Sequence, residues 1–146
     1  MSPSPETNRQ TATEWRQLGF FYEVLKADKT WRFVGSQRGL RNFPRLLREY
    51  AANPRNSRIS EHRHYGPYGY LKIVTWNEAL IKGDGIWGSL TQLANLADLI
   101  EKRVPAISLG ESATVGRDYS PQSEFTLRFE VMEDEFDPAS ADVLLL

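Results

Sequence analysis

The chain has two histidines, His62 and His64, with Arg63 between them. An extended backbone sends alternate side chains to the same side, so both imidazoles would face one way. That spacing suits a shared metal ion or a shared proton. Glu61, Asp84 and Asp118 are the carboxylates that could complete such a site. A metal centre needs at least three protein ligands and partners that orient them. His62, His64 and Glu61 are therefore the metal candidates, two histidines fall short of a full set, and no metal or cofactor is assigned. No G-x-S-x-G elbow and no G-x-x-x-x-G-K-[ST] loop occurs, so hydrolase and phosphoryl-transfer readings have no positive support. The absence of cysteine excludes disulfides, zinc–thiolate sites and cysteine nucleophiles. A small enzyme or metal protein centred on the histidine loop is the alternative reading, and no catalytic residue is named.

The arginines form the second constellation. Arg38, Arg41, Arg45 and Arg48 recur at helical spacing, and Arg55, Arg58 and Arg63 follow. The acidic residues gather late, as in Glu133, Asp134, Glu135 and Asp137, although the net charge is only −1. Three readings fit. The stripe is a solvated helix face answered by the acidic tail. It is a surface for a protein partner with an acidic face, met through guanidinium forks. Or it contacts nucleic-acid phosphates, which an acidic pI of about 6.1 and the lack of any nucleic-acid motif place last. Gly66, Pro67 and Gly69 break a tyrosine run and let the backbone turn. Tyr65 and Tyr68 are expected at the surface, Tyr70 and Trp76 in the core. Tyr and Arg dominate interface hot spots, so the expected partner-binding set is Arg38, Arg41, Arg45, Arg48, Arg63, Tyr65 and Tyr68.

These residues need a scaffold. Residues 18–24 and 31–34 read as a hairpin. Ser36 can cap a following amphipathic helix whose buried face is Leu40, Phe43, Leu46, Leu47, Tyr50 and Ala51. Pro44 is its flaw, requiring a kink or a start near Asn42. Residues 55–67 read as a loop or irregular edge, 68–76 as a central strand, 77–85 as a turn or wide hairpin loop and 86–87 as a short strand. Ser89 and Gln92 form an S-x-x-Q capping box before a second helix ended by Pro105. Residues 106–122 read as a connection. In residues 123–132, Phe125, Leu127, Phe129 and Val131 alternate with polar positions, the pattern of a strand with one wet face.

Gly35-Ser36 and Gly88-Ser89 stand at matching points, and Gly19 lies over Gly69 when the two halves are aligned. Two ββα units and a last strand follow from this echo. The expected fold is α+β: one antiparallel sheet of about five strands with two helices on one face, in ββα-ββα-β order. Residues 1–13 are expected to be a disordered tail, 14–136 a single domain and 137–146 a C-terminal tail whose last leucines dock.

Composition is that of a globular chain, 40% hydrophobic and 25% charged. The first residues lack the apolar core of a signal peptide. No apolar run reaches the roughly 20 residues of a membrane span. A cytoplasmic setting, with no membrane contact, is the expectation.

The step Trp87-Gly88-Ser89-Leu90-Thr91-Gln92-Leu93, the compact α+β organisation and the polar-aromatic loops resemble small cytoplasmic immunity proteins that neutralise bacterial toxins. The resemblance covers about a third of the chain and carries no site residue over. It implies binding without catalysis.

Overall fold

A computed structural model describes residues 4–145 of the 146. The first helix, α1 (Pro5–Leu18), lies where a disordered tail was expected over residues 1–13. Its start is local chemistry. Ser4 accepts a hydrogen bond from the Thr7 N–H, Pro5 occupies the first turn, where no donor is needed, and Glu6 complements the helix dipole. Gly19 ends it in the left-handed conformation, φ 93°. The helix is mostly polar and is held by one fully buried anchor, Trp15. Residues 1–3 of the expected tail lie outside the described residues.

The first hairpin is β1 (Phe21–Leu25) and β2 (Thr30–Ser36). The expected amphipathic helix divides at Arg41 into α2 (Gln37–Leu40) and α3 (Asn42–Ala52). The division puts Pro44 in the first turn of α3, where its missing N–H costs nothing. Next come β3 (His62–Tyr65), β4 (Leu71–Thr75), β5 (Leu80–Lys82), β6 (Gly85–Gly88), α4 (Leu90–Arg103), β7 (Ser112–Val115) and β8 (Thr126–Met132).

The α+β class is as expected, but the architecture differs. There are two four-stranded sheets, ordered β1-β2-β8-β7 and β5-β6-β4-β3, and each is mixed. The hairpin pairs are antiparallel, while β2 pairs β8 and β4 pairs β6 in parallel. Strands β3, β5 and β7 fall in segments read as a loop or irregular edge, a turn or wide hairpin loop, and a connection. All three are short edge strands, with too few residues to show a period of two.

The echo is real, with a different unit. Each half is hairpin, helix, hairpin. Exchanging β1, β2, β7 and β8 for β5, β6, β3 and β4 turns one sheet order into the other. Gly88 does stand where Gly35 stands, but the hairpin leading into it is β5–β6. The strand aligned with β1, namely β4, belongs to the returning hairpin. Each half thus starts in one sheet and finishes in the other.

One core joins the sheets. Phe33 of β2, Phe43 of α3 and Phe129 of β8 meet in a triangle of rings, with Phe33 centred 4.7 and 4.8 Å from the other two and those two 6.2 Å apart. At its other end α3 reaches the second sheet, where the Tyr50 hydroxyl lies 2.7 Å from Thr75 Oγ1. The Trp31 indole N–H donates to the Lys82 carbonyl at 2.6 Å. The Tyr22 hydroxyl donates to the Tyr65 carbonyl and accepts from the Leu71 N–H; burial pushes its pKa up to about 12. The helices α3 and α4 pack side by side, α4 burying Leu93, Leu96, Ala97 and Ile100.

Candidate functional site

Ser36 and Ser89 launch the helices that carry most of the expected arginine surface and its counterpart. Both have extended backbones, with φ and ψ of −65° and 165° for Ser36 and −67° and 164° for Ser89. Ser36 Oγ accepts from the Gly39 N–H at 3.0 Å, and Ser89 Oγ from the Gln92 N–H at 3.1 Å. The core is thereby placed under Leu40, Phe43 and Leu47, which leaves Arg38, Arg41 and Arg45 exposed.

Arg48 is different. It makes two 2.9 Å hydrogen bonds to the Glu101 carboxylate of α4 and a further one to Asp98. The Arg48 hydrogen bond lowers the Glu101 pKa, and burial acts against it. Arg45 has a loose pair with Glu49 at 3.9 Å. Among the described residues no carboxylate pairs with Arg38 or Arg41. Arg41 lines a groove of about 300 Å³ between α3 and the end of α4, with Leu40, Pro44, Ile100, Val104 and Pro105. Glu101, the one carboxylate on its wall, is the residue that Arg48 holds.

The rest of the expected surface is divided. The Arg63 guanidinium lies over the Tyr65 ring, 5.7 Å from its centre, and burial pushes the Tyr65 phenol up to about 12. Tyr68 is not displayed. Its ring meets Trp15 edge-on and its hydroxyl donates to Asp142 at 2.6 Å. Burial and then that hydrogen bond raise its pKa. Tyr70, expected in the core, is 62% exposed. Nor does the acidic tail answer the arginine stripe. Asp137 forms two bonds to Arg16 of α1, and Asp142 is buried beside Trp15. Instead of hanging loose, residues 138–141 form a 3-10 turn with Pro138 and Ala139 buried, while Val143 and Leu144 are exposed.

His62 and His64 lie on the edge strand β3 and share a face, as their spacing predicts, with ring centres 5.3 Å apart. Among the described residues no three His, Cys, Asp or Glu group as metal ligands, so Glu61, Asp84 and Asp118 do not join them. His64 begins a row across the sheet: His64, Lys72, Gly85, Lys82. The Lys72 and Lys82 ammonium groups lie 5.1 and 4.8 Å from the centre of the buried Trp87 ring. At the matching place in the other sheet the row is Thr114, Arg128, Arg32, Glu23. There Arg32 bonds Glu23 at 2.7 Å and Glu130 at 3.0 Å, and Arg128 bonds Glu130 at 2.9 Å, so the charges cancel. In the second sheet Asp84, 3.6 Å from Lys72, is the one paired carboxylate among the described residues. Sequence reasoning missed this basic row because its members come from four strands that only pairing brings together.

No protein-family model matches the chain, and comparison with curated proteins and with solved structures finds no significant match. Among the described residues no helix is long and apolar enough to cross a membrane.

Proposed function

We propose that this chain is a non-enzymatic binding module that docks an acidic segment of a partner protein against the α3–α4 groove. The observation that carries this reading is Arg41: it stands on the wall of an apolar groove with no carboxylate of its own, while Glu101 opposite is held by Arg48. An apolar floor with an unanswered guanidinium at its rim accommodates an apolar side chain next to a carboxylate. Arg38 and Arg45 extend the positive rim, and Arg63, which pairs with no carboxylate among the described residues, lies beside Tyr65 outside the groove. The resemblance to toxin-neutralising immunity proteins agrees with binding of this kind, in the cytoplasm. A partner whose anionic surface is an enzyme's active-site rim would be neutralised simply by being covered.

The test is a quantitative capture from cytoplasmic lysate with the native chain, Arg41→Glu and Arg38→Glu. The expected result is one protein retained by the native chain, released by either reversal, and recaptured by Arg41→Glu when an acidic residue of that partner is changed to Arg. Retention that is indifferent to both reversals overturns the reading. So does salt-sensitive binding of nucleic acid that competes with the captured protein.

A further inference from the structure

We infer that His62 and His64 form a two-imidazole chelate for a divalent ion of the copper, nickel and zinc group, a site independent of the α3–α4 groove. The rings are oriented from behind by the backbone. His62 Nδ1 lies 3.1 Å from the Ser60 carbonyl oxygen, and His64 Nδ1 lies 2.9 Å from that of Gly69. A carbonyl oxygen can only accept, so both Nδ1 atoms carry the proton. In each neutral ring the lone pair then sits on Nε2, the atom free to bind metal. Metal-binding histidines commonly donate their other N–H to a carbonyl in this way.

The two residues whose carbonyls accept these bonds are unusual. Ser60 has φ 74° and Gly69 has φ 66°, both in the left-handed region. Glycine adopts it freely, but for serine it costs free energy, and such positions gather at functional sites. Ser60 is held there by its N–H bond to Thr75 at 2.9 Å. Two separate turns, one before β3 and one after it, thus present a carbonyl to an imidazole on the same face.

The spacing fits one ion. With metal–nitrogen bonds of about 2 Å, the ion sits roughly 3 Å from each ring centre, and two such centres at a tetrahedral angle lie about 5 Å apart. The observed separation is 5.3 Å. The nearest cross-strand cation, Lys72 opposite His64, is drawn aside to Trp87 and Asp84. This chain supplies two ligands, so the remaining positions are open to water or to a side chain of another molecule. Imidazole ligation favours copper over nickel and zinc.

The test uses the full, tag-free chain titrated calorimetrically with Cu²⁺, Ni²⁺ and Zn²⁺, and copper electron paramagnetic resonance. One saturable site is expected, tightest for Cu²⁺. His62→Ala and His64→Ala should each weaken it at least tenfold, while Glu61→Gln changes it less than twofold. The copper spectrum of the unaltered chain should show coupling to two imidazole nitrogens, a readout that needs no variant to fold. Absence of saturable binding, coupling to one nitrogen or none, or undiminished binding in His62→Ala overturns the assignment.

Discussion

The indole N–H of Trp15 donates to the Asp142 carboxylate at 2.9 Å, across 127 residues of chain and with both groups buried. Asp142 also accepts from the Tyr68 hydroxyl at 2.6 Å and, through its other oxygen, from the Leu144 N–H at 3.0 Å. One anion therefore ties the first helix, the β3–β4 turn and the C-terminal segment together. Among the described residues no cation pairs with it; oriented donors replace the lost water.

Asp142→Ala strands the buried Trp15 donor and leaves the half-buried Tyr68 hydroxyl without its partner. It should lower stability by about 3 kcal/mol, since bonds to a charged acceptor are the stronger kind and unpaired buried donors add their own cost. Asp137→Ala breaks an exposed pair with Arg16 and a cap bond from the Ala139 N–H, and should cost clearly less. Urea unfolding of both variants checks the difference. Equal effects would mean that Asp142 is not the tie.

Arg41 and Arg48 stand on the same helix and should behave oppositely. Arg48→Ala removes the α3–α4 clasp and should cost about 1 kcal/mol, as expected for a partly exposed network. Arg41→Ala should leave stability within about 0.5 kcal/mol while weakening capture of the acidic partner. Thermal melts set beside binding assays separate the two roles.

Glu101 supplies a pH dependence of known sign. The hydrogen bond from Arg48 lowers its pKa in the folded state below the ordinary value of 4.5. A depressed carboxyl contributes stability above the unfolded value and loses it as the pH falls through the folded one. The contribution is therefore present at neutral pH and disappears in acid. Denaturant titrations between pH 7 and strongly acidic conditions should show a shallower acid loss for Glu101→Gln than for the native chain. Identical acid limbs would dismiss the clasp as a contributor.

Gly85 lies between Lys72 and Lys82 in the basic row. A Cβ there would be driven into the Lys72 carbonyl oxygen of the parallel neighbour β4. Gly85→Ala should destabilise by about 1–3 kcal/mol, the usual cost of overpacking a filled site. Hydrogen exchange should show the loss in β4–β6 first. An unperturbed β4–β6 ladder would contradict this close approach.

Ser36→Ala and Ser89→Ala should each cost about 1 kcal/mol, the usual worth of a serine N-cap. Their matching backbone angles make the comparison direct. Ser89 also belongs to a reciprocal box, with its N–H donating to Gln92 at 2.9 Å, so helix α4 should fray from its start in that variant. Peptide-level exchange at residues 89–93 reads this out.

Much of this molecule was legible where the controlling interactions are local. The serine caps, the leucine face of α4, the first hairpin, the break enforced by Pro44 and the alternation in β8 each depend on residues within a turn or two. So did the shared face of His62 and His64, which needs only an extended strand. The start of α1 was not read: the polar composition of residues 1–13 pointed to a disordered tail, whereas the Ser4 cap and the buried Trp15 hold a helix there.

Tertiary structure decided what local rules leave degenerate. Thr30 of β2 and Thr126 of β8 are paired in register although nothing along the chain links them, and that parallel contact made two sheets out of the expected one. Arg48 and Arg41 are alike by composition and spacing; only the position of α4 answers one with carboxylates and leaves the other on a groove. Tyr68 and Tyr70 differ for the same reason, since Asp142 and Trp15 arrive from opposite ends of the chain to bury one of them. Caps and periodicity act over a few residues, whereas charge pairing and burial depend on which distant segment comes to lie alongside.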